Sequence, residues 1–483
     1  MSAGPTRTKE DDKTMANVTE PTAAAPDRPE LRRTQTIAGA ALLLVVVAAV
    51  SAPRNPEPGD FVDVGERFFP NFEDPAEAMS LEVIEYDPET AEAIPFRVQN
   101  AAGIWTIPSH HDYPADGADR LAQTAAGILL LEKDDFRSEN VADHAALGVV
   151  DPLDDAAVSL VGRGRRVTVK ASGDRVLADL IIGNAVEGRE GSYFVRIPEQ
   201  KRVYVSRLGV EVSTNFADWI ERDLLLMDQD RVDRAVLEDY SINERTLRVD
   251  RRGRLALGQE DGEWTIEGLG AGEEPDSFEV REMIRAASEL EIVGVRPKPA
   301  GIAGTLTGDV AAISNSDILS LQTRGYYLTQ GGSLLSNEGE VQLETDQGIR
   351  YTLRFGEVLY GRGEAVSAGT PDAGAGPAGA GAGEPAENRY LFVTAEFLPS
   401  RFPEPPAPPN RDYLEKGSDE LTDEDRNNRD LARDWDAWQD NVERGRELEE
   451  TLTRRFAGWY YVISQESFEN IRKTRDDLVR DAS

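Results

Sequence analysis

The chain has 483 residues, of which 89 are acidic and 53 are basic, so its formal net charge at pH 7 is −36. This balance disfavours nucleic acids and anionic lipid surfaces as partners, because their phosphates would be repelled. The chain has no cysteine, which excludes disulfides, thiolate nucleophiles, cysteine-ligated metals and lipid-modified cysteines. Its length predicts two or three domains.

The N-terminal region predicts a single membrane anchor. Residues 1–33 are rich in Thr, Ala, Pro and charged residues without periodicity, which indicates a disordered cytoplasmic tail. Residues 34–52 carry no charge and contain the apolar core Ile37–Val50. A helix of this length spans roughly 25–30 Å, enough to cross a bilayer. Arg32 and Arg33 precede the run and favour a cytoplasmic N-terminus with the bulk of the chain exported.

Two other interpretations of this run stay open. Val50-Ser51-Ala52 resembles a small-residue cleavage site, so the run also fits a removed signal peptide. A buried helix in a cytoplasmic protein is the third interpretation, but the polar, Pro-rich residues 53–60 are typical of a linker beside a membrane. We therefore expect a single-pass inner-membrane protein whose bulk lies in the periplasm.

The exported part contains an internal repeat. The stretch FRVQNAAGIWTI at Phe96–Ile107 recurs as LALGQEDGEWTI at Leu255–Ile266, with Gly and Trp-x-Ile in the same places. Each copy predicts a strand, a glycine-containing turn and a second strand, and apolar positions at helical spacing follow in both. The matched spacing predicts a duplicated fold in which Trp105 and Trp264 are core residues.

The remainder of each copy predicts an antiparallel meander, since short apolar runs alternate with Gly-rich and charged turns. The fold class that we expect is α+β, with two related lobes at residues 61–210 and 211–398. Each lobe combines a β-hairpin, a helix and a meander. The predicted meander strands are Val158–Val161, Arg166–Lys170, Val176–Ile182, Tyr193–Ile197 and Arg202–Ser206 in the first lobe, and Val341–Glu344, Arg350–Phe355 and Tyr390–Val393 in the second.

Three segments fall outside the repeat pattern. Residues 367–388 form a Gly/Ala-rich run in the place of a short hairpin loop of the first copy, so we interpret them as a disordered insertion between strands that still pair. Phe216–Asp228 predicts a short helix. Residues 399–483 predict a Pro-rich linker and a C-terminal helical segment, with a long helix over Leu421–Phe456, a buried strand at Trp459–Ile463 and a closing helix over Ser467–Val479.

Little in the sequence predicts chemistry. His110 and His111 are adjacent in a loop, which is more typical of a solvated loop than of a metal site. Asp228, Asp230 and Asp233 have part of a calcium-loop spacing, but the glycine and glutamate of that loop are missing. No nucleophile elbow and no phosphate-binding loop is present. We therefore name no catalytic, cofactor-binding or metal-binding residue, and expect no cofactor and no enzymatic activity.

Several motifs resemble the DUF4340 family of uncharacterised bacterial proteins, in a longer subgroup with two copies. They are the N-terminal apolar helix, the Gly-x-Trp-x-Ile hairpin, the turn Leu147-Gly148-Val149-Val150-Asp151-Pro152, and the stretches Arg324-Gly325-Tyr326-Tyr327, Ser336-Asn337-Glu338-Gly339-Glu340 and Leu353-Arg354-Phe355-Gly356. Members of this family are often encoded beside components of ABC-type transporters similar to those of gliding-motility systems. The resemblance therefore implies an extracytoplasmic accessory subunit of a membrane complex.

Three hypotheses of function follow. The first is a non-enzymatic, membrane-anchored protein that binds other proteins, with components of an ABC-type transport complex as expected partners. The alternative is a periplasmic protein that binds a small molecule or polysaccharide in a cleft between the lobes. The third, a hydrolase that uses carboxylates alone, requires two acidic side chains facing each other in one pocket.

Overall fold

Antiparallel β-sheets form the framework of the protein. The structure, a computed structural model, describes residues 63–88, 91–155, 160–243, 245–246, 248–260, 262–308, 312–329, 331–361, 364–369 and 386–482. The predicted tail, anchor and linker lie outside these residues. Within the described ranges, no helix combines the length and the apolar composition that a membrane span requires.

The first sheet has nine strands in the order β4-β3-β2-β1-β6-β7-β8-β9-β5, and every pair of neighbours is antiparallel. Its strands are β1 (Ser80–Asp87), β2 (Glu92–Ala101), β3 (Ile104–Ile107), β4 (Tyr113–Pro114), β5 (Asp135–Ser138), β6 (Arg165–Lys170), β7 (Val176–Ala185), β8 (Ser192–Arg196) and β9 (Val203–Arg207).

The second sheet has eight strands in the order β12-β11-β10-β17-β18-β19-β20-β14, again antiparallel throughout. Its strands are β10 (Val232–Asn243), β11 (Arg248–Glu260), β12 (Glu263–Ile266), β14 (Gly294–Pro297), β17 (Glu340–Thr345), β18 (Ile349–Gly361), β19 (Ala386–Phe397) and β20 (Trp459–Ser464). Two small ribbons pair β13 (Glu273–Pro275) with β21 (Val479–Asp481) and β15 (Tyr326–Leu328) with β16 (Leu334–Ser336).

Nine α-helices connect or cover the sheets in the described ranges. They are α1 (Ala118–Leu129), α2 (His144–Leu147), α3 (Ser277–Ser288), α4 (Ala300–Thr307), α5 (Asn315–Gln322), α6 (Glu364–Ser367), α7 (Asp423–Ala457), α8 (Gln465–Ile471) and α9 (Arg475–Leu478). The longest, α7, begins with a capping box between Thr422 and Asp425, has acidic residues in its first turn and has Arg454 and Arg455 in its last turn. These charges complement the helix dipole at both ends.

The two sheets repeat one strand order. When β10, β11 and β12 are matched to β1, β2 and β3, and β17 to β20 are matched to β6 to β9, the orders coincide, with β14 in the place of β5. The α+β class with antiparallel sheets is therefore as predicted. The division into two lobes is not confirmed, because Asp63–Ser483 forms one compact unit and a single hydrophobic cluster contains side chains of both sheets.

The predicted pairing across the insertion is confirmed. Leu353 faces Val393 and Phe355 faces Leu391 in the β18–β19 pair, which continues to the end of β18 and the start of β19. Ser367 belongs to α6, and residues 386–388 belong to β19, so both ends of the predicted loop are regular elements. Residues 370–385 lie outside the described ranges.

Three predicted elements differ from the structure. Phe216–Asp228 contains only a short 3₁₀ turn at Phe216–Asp218, because an irregular chain there buries its apolar side chains in the core. The predicted closing helix is divided into α8 and α9. The predicted strand Val158–Val161 lies partly outside the described residues, and Leu160 and Val161 form a bend.

Two glycines mark equivalent close approaches in the two sheets. A Cβ atom on Gly183 in β7 would meet the Leu147 carbonyl oxygen at 2.5 Å, and one on Gly356 in β18 would meet the Arg324 carbonyl oxygen at 2.2 Å. The residues after these carbonyls are Gly148 and Gly325, whose φ angles of 71° and 80° disfavour residues with a side chain. The chain that follows a helix therefore crosses each sheet at a glycine, which explains the turn motifs of both copies.

The substitution Gly356→Ala tests this packing. We expect it to lower the free energy of unfolding by about 2–3 kcal/mol, because the added methyl group would displace a backbone carbonyl. Gly258→Ala in β11 is the matched control, since its Cβ would meet nothing closer than the Thr265 hydroxyl at 3.9 Å. Urea unfolding of both variants measures the difference, and equal stability of the two would contradict the close approach.

Candidate functional site: the cleft between the sheets

A cleft of about 710 Å³ lies where the two sheets meet. The first sheet contributes β1 and β2, the connecting chain contributes the turn around Phe216, and the second half contributes the chain before β14 and the ends of the β18–β19 hairpin. The lining residues are Glu85, Ile94, Pro95, Phe96, His110, Thr214, Asn215, Phe216, Ala217, Glu291, Ile292, Val293, Gly361, Val366, Ser367, Ala386 and Asn388.

His110 is a buried wall residue of this cleft, so the prediction of a solvated loop was wrong for it. Its side chain is only 2 % exposed. The imidazole stacks on the ring of Phe216, with centroids 4.5 Å apart and an interplanar angle of 6°, and meets the ring of Phe96 edge-on at 5.8 Å. Its Nδ1 lies 3.1 Å from the Ser109 hydroxyl oxygen, and its Nε2 lies 2.9 Å from the Ser367 hydroxyl oxygen. Both ring nitrogens therefore make hydrogen bonds.

His111 makes a second contact with the same segment. Its side chain is largely exposed, but its Nε2 lies 2.7 Å from the Ala368 carbonyl oxygen and donates to it. His111 and Asp112 both have positive φ, 60° and 59°. The backbone reverses at this point, and two consecutive histidines reach two consecutive residues of the other half.

Arg296 in β14 holds this segment from the other side. Its guanidinium is buried and donates to the carbonyl oxygens of Val295 at 2.7 Å, Ala365 at 3.0 Å and Ser367 at 3.2 Å. A Cβ on Gly294 would lie 2.2 Å from a carbonyl oxygen of the segment, which therefore packs directly on the backbone of β14. Residues 365–368 thus form a wall of the cleft, and side chains from both halves of the chain make hydrogen bonds with it.

The surroundings of His110 keep its ring neutral. Burial lowers the pKa of His110 to about 4, and the neighbouring His111 and Arg296 act in the same direction. Burial disfavours the charged imidazolium, and nearby positive charge adds to that effect. At neutral pH the ring therefore offers one donor and one acceptor nitrogen.

Two carboxylates line the cleft. Glu85 is in an ion pair with Arg165 at 2.6 Å and accepts a hydrogen bond of 3.4 Å from the Thr214 hydroxyl. Glu291 is exposed, and no described residue makes a hydrogen bond or an ion pair with its carboxylate. The third hypothesis requires two acidic side chains that face each other in one pocket. Glu85 and Glu291 line the same cleft, and an arginine engages Glu85.

The Ser367–His110 contact has the spacing of a nucleophile and its base. The Ser109 hydroxyl takes the position that an orienting carboxylate occupies in many such sites. A base with a pKa of about 4 is also weak at neutral pH. The contact therefore supports a structural wall better than acyl transfer.

The other residues considered from the sequence do not converge on the cleft. Asp228 caps the turn Gln229–Arg231, and Asp233 pairs with Arg401. No group of three His, Asp or Glu side chains in the described ranges is placed to hold a metal ion. Trp264 is buried in the core as predicted. Trp105 is half-buried and packs against the same hydrophobic core.

Sequence reasoning missed most of the cleft, including Phe216, Glu291 and Asn388. The sequence signal that could have located the cleft is the set of positions where the two copies of the repeat differ. The second copy has Gly268-Leu269-Gly270 in the place of the histidine loop, and residues 367–388 replace a short loop. The structure brings the histidine loop and the start of this insertion together in one wall.

Residues 105–304 match a family model described as a domain of unknown function, DUF4340. The match confirms the resemblance that the sequence motifs indicate. It begins in β3 of the first sheet and ends in α4 beside the second, so it includes the first tryptophan hairpin in part and the second completely. No curated protein and no solved structure matches the chain.

The titration of His110 predicts a pH-dependent stability. The unfolded chain binds a proton at His110 near its ordinary pKa of 6.5, whereas the folded chain binds it only near 4. The contribution of His110 is therefore complete above about pH 6.5 and declines as the pH falls towards 4. From pH 7.5 to 4.5 we expect the wild type to lose about 2–3 kcal/mol more unfolding free energy than His110→Phe.

Urea titrations of both proteins at the two pH values measure this difference. His110→Phe keeps an aromatic ring against Phe216 but cannot titrate. Ser109→Ala is the control, because it retains the buried imidazole and should keep the pH dependence of the wild type. The same acid loss in His110→Phe and in the wild type would contradict the assignment.

Proposed function

We propose that the chain is a non-enzymatic binding protein that holds a small organic ligand in the cleft between its sheets. The single observation that carries the proposal is the cleft itself, which both halves of the repeat build. Its volume of about 710 Å³ lies within the roughly 300–1,000 Å³ that small-molecule sites occupy. Of the seventeen described lining residues, ten are apolar, glycine included, and seven are polar or charged, so the lining combines apolar surface with polar groups as small-molecule sites do.

The hydrogen bonds that hold the wall support the same proposal. Arg296, His110 and His111 hold residues 365–368 through side-chain contacts from both halves. A wall that is fixed before the ligand arrives reduces the ordering entropy that binding must overcome. Two related lobes that face each other across this cleft would explain the repeated strand order.

The cellular setting is part of the proposal. The apolar run Ile37–Val50 supports a single N-terminal anchor with the bulk of the chain in the periplasm. The ligand would then be a component of the cell envelope or a solute that enters it.

A screen of envelope sugars and small metabolites by thermal shift tests ligand binding. A ligand at about a hundredfold excess over its Kd should stabilise the protein by about 2.7 kcal/mol and raise the melting temperature. Ala217→Trp should abolish the shift, since Ala217 lines the cleft. Ala122→Trp on the exposed side of α1 is the matched control and should keep it. A shift that survives in Ala217→Trp would place the ligand elsewhere.

A second candidate function is the binding of another protein, with an ABC-type transport component as the expected partner. Three large apolar side chains between α2 and β6 favour it. Leu153, Leu160 and Val161 are 48 %, 48 % and 69 % exposed and lie within nine positions of the chain, and exposed apolar surface can mark a protein contact.

Affinity purification from gently solubilised membranes tests this candidate. We expect the full chain to recover a membrane complex, and the double substitution Leu153→Ser with Leu160→Ser to lose it. Leu319→Ser, at a similarly exposed position on α5, is the control and should retain the complex. Recovery of the bait alone from the wild type would refute a stable partner.

A further inference from the structure

The charged side chains that line the cleft are acceptors. The carboxylates of Glu85 and Glu291 are acceptors only. The Thr214 hydroxyl donates to Glu85, so it has lone pairs left to accept. The amide nitrogen of Asn388 donates to backbone carbonyls, at 3.0 Å in the case of Ala386. The Asn215 amide oxygen accepts from the Ala217 N–H at 3.3 Å, so its amide nitrogen is the donor that this side chain brings to the cleft. A ligand that meets the two carboxylates must bring donors of its own.

The cationic groups near the cleft do not face a ligand. No Lys or Arg side chain is among the described residues that line it. Arg165 is paired with Glu85 and also donates to the Val212 carbonyl oxygen. Arg296 lies behind the wall, and its donors go to carbonyl oxygens of the chain. An anionic ligand would therefore lose its hydration without meeting a cation.

Glu291 differs from Glu85 because no described cation balances its charge. It stands between the end of α3 and the start of β14, at the exposed part of the cleft. The rings of Phe96 and Phe216 line the same space and give it an apolar surface. The net charge of −36 also raises the local concentration of cations around the protein.

We propose that the cleft binds an organic cation, an amine on an apolar body, with Glu291 as its counter-ion and Phe96 and Phe216 against its apolar part. This inference rests on the proposed small-molecule function and specifies the ligand class of the same site. The ammonium donates to the Glu291 carboxylate, and the apolar body occupies the aliphatic and aromatic part of the lining. A bare metal ion is a poor fit, because the described residues contain no cluster of three ligating side chains.

Three probes of similar shape test the ligand class: 4-phenylbutylamine, 4-phenylbutan-1-ol and 4-phenylbutyrate. Isothermal titration of the full-length protein at low ionic strength measures each affinity. We expect the amine to bind about tenfold tighter than the alcohol, and the carboxylate to bind weakest. Glu291→Gln should remove most of the preference for the amine and leave the affinity for the alcohol unchanged.

Glu289→Gln is the matched control. Glu289 lies two positions away, outside the cleft, where it pairs with Arg285 at 2.7 Å, so its loss should not change the preference. Equal or tighter binding of the alcohol or the carboxylate overturns the inference, as does an unchanged preference in Glu291→Gln. The broad screen can find a ligand whose thermal shift is lost in Ala217→Trp while none of the three probes binds. That result overturns the organic-cation inference and leaves the proposed small-molecule function intact. Failure of both experiments overturns the proposed function as well.

Discussion

The cleft depends on the hydrogen bonds that hold residues 365–368 in place. This short segment of the second half carries carbonyl oxygens and one hydroxyl, and it lies where two sheets approach each other. Arg296 donates to two of those carbonyls from β14, while His110 and His111 reach the segment from the first half. Buried polar backbone must be hydrogen-bonded, so these side chains let the chain leave β18 and still form a packed wall.

The histidine contact is specific to one half of the repeat. Both sheets use the same strand order and the same glycine crossing, which are requirements of packing. Only the first copy has a histidine loop, and only the second has a segment like residues 365–368 between the strands of its central hairpin. The two copies share a framework but differ in their loops. The histidine loop of the first copy contacts residues 365–368 of the second.

Local patterns were sufficient to predict most of the framework. Alternating apolar residues and glycine turns predicted the strands around Trp105 and Trp264 and the pairing of the strand Arg350–Phe355 with the strand Tyr390–Val393. Helical spacing predicted α1, α3 and α7. The short helix over Phe216–Asp228 was wrong because the apolar side chains there are buried by tertiary contacts, which override a weak local preference. The solvated histidine loop was wrong for His110 because its burial depends on a segment far away in the chain.

The sequence by itself determined the repeat, the α+β class and the positions where the copies diverge, because periodicity and turn chemistry are local properties of the chain. It also contained every group of the cleft, but not their association. Only the tertiary structure decided that the His110 ring lies 2.9 Å from the Ser367 hydroxyl and that Glu291 and Phe216 line the same space. Such contacts join residues that are far apart in the chain, and they follow from how two sheets pack on one core, which no local pattern encodes.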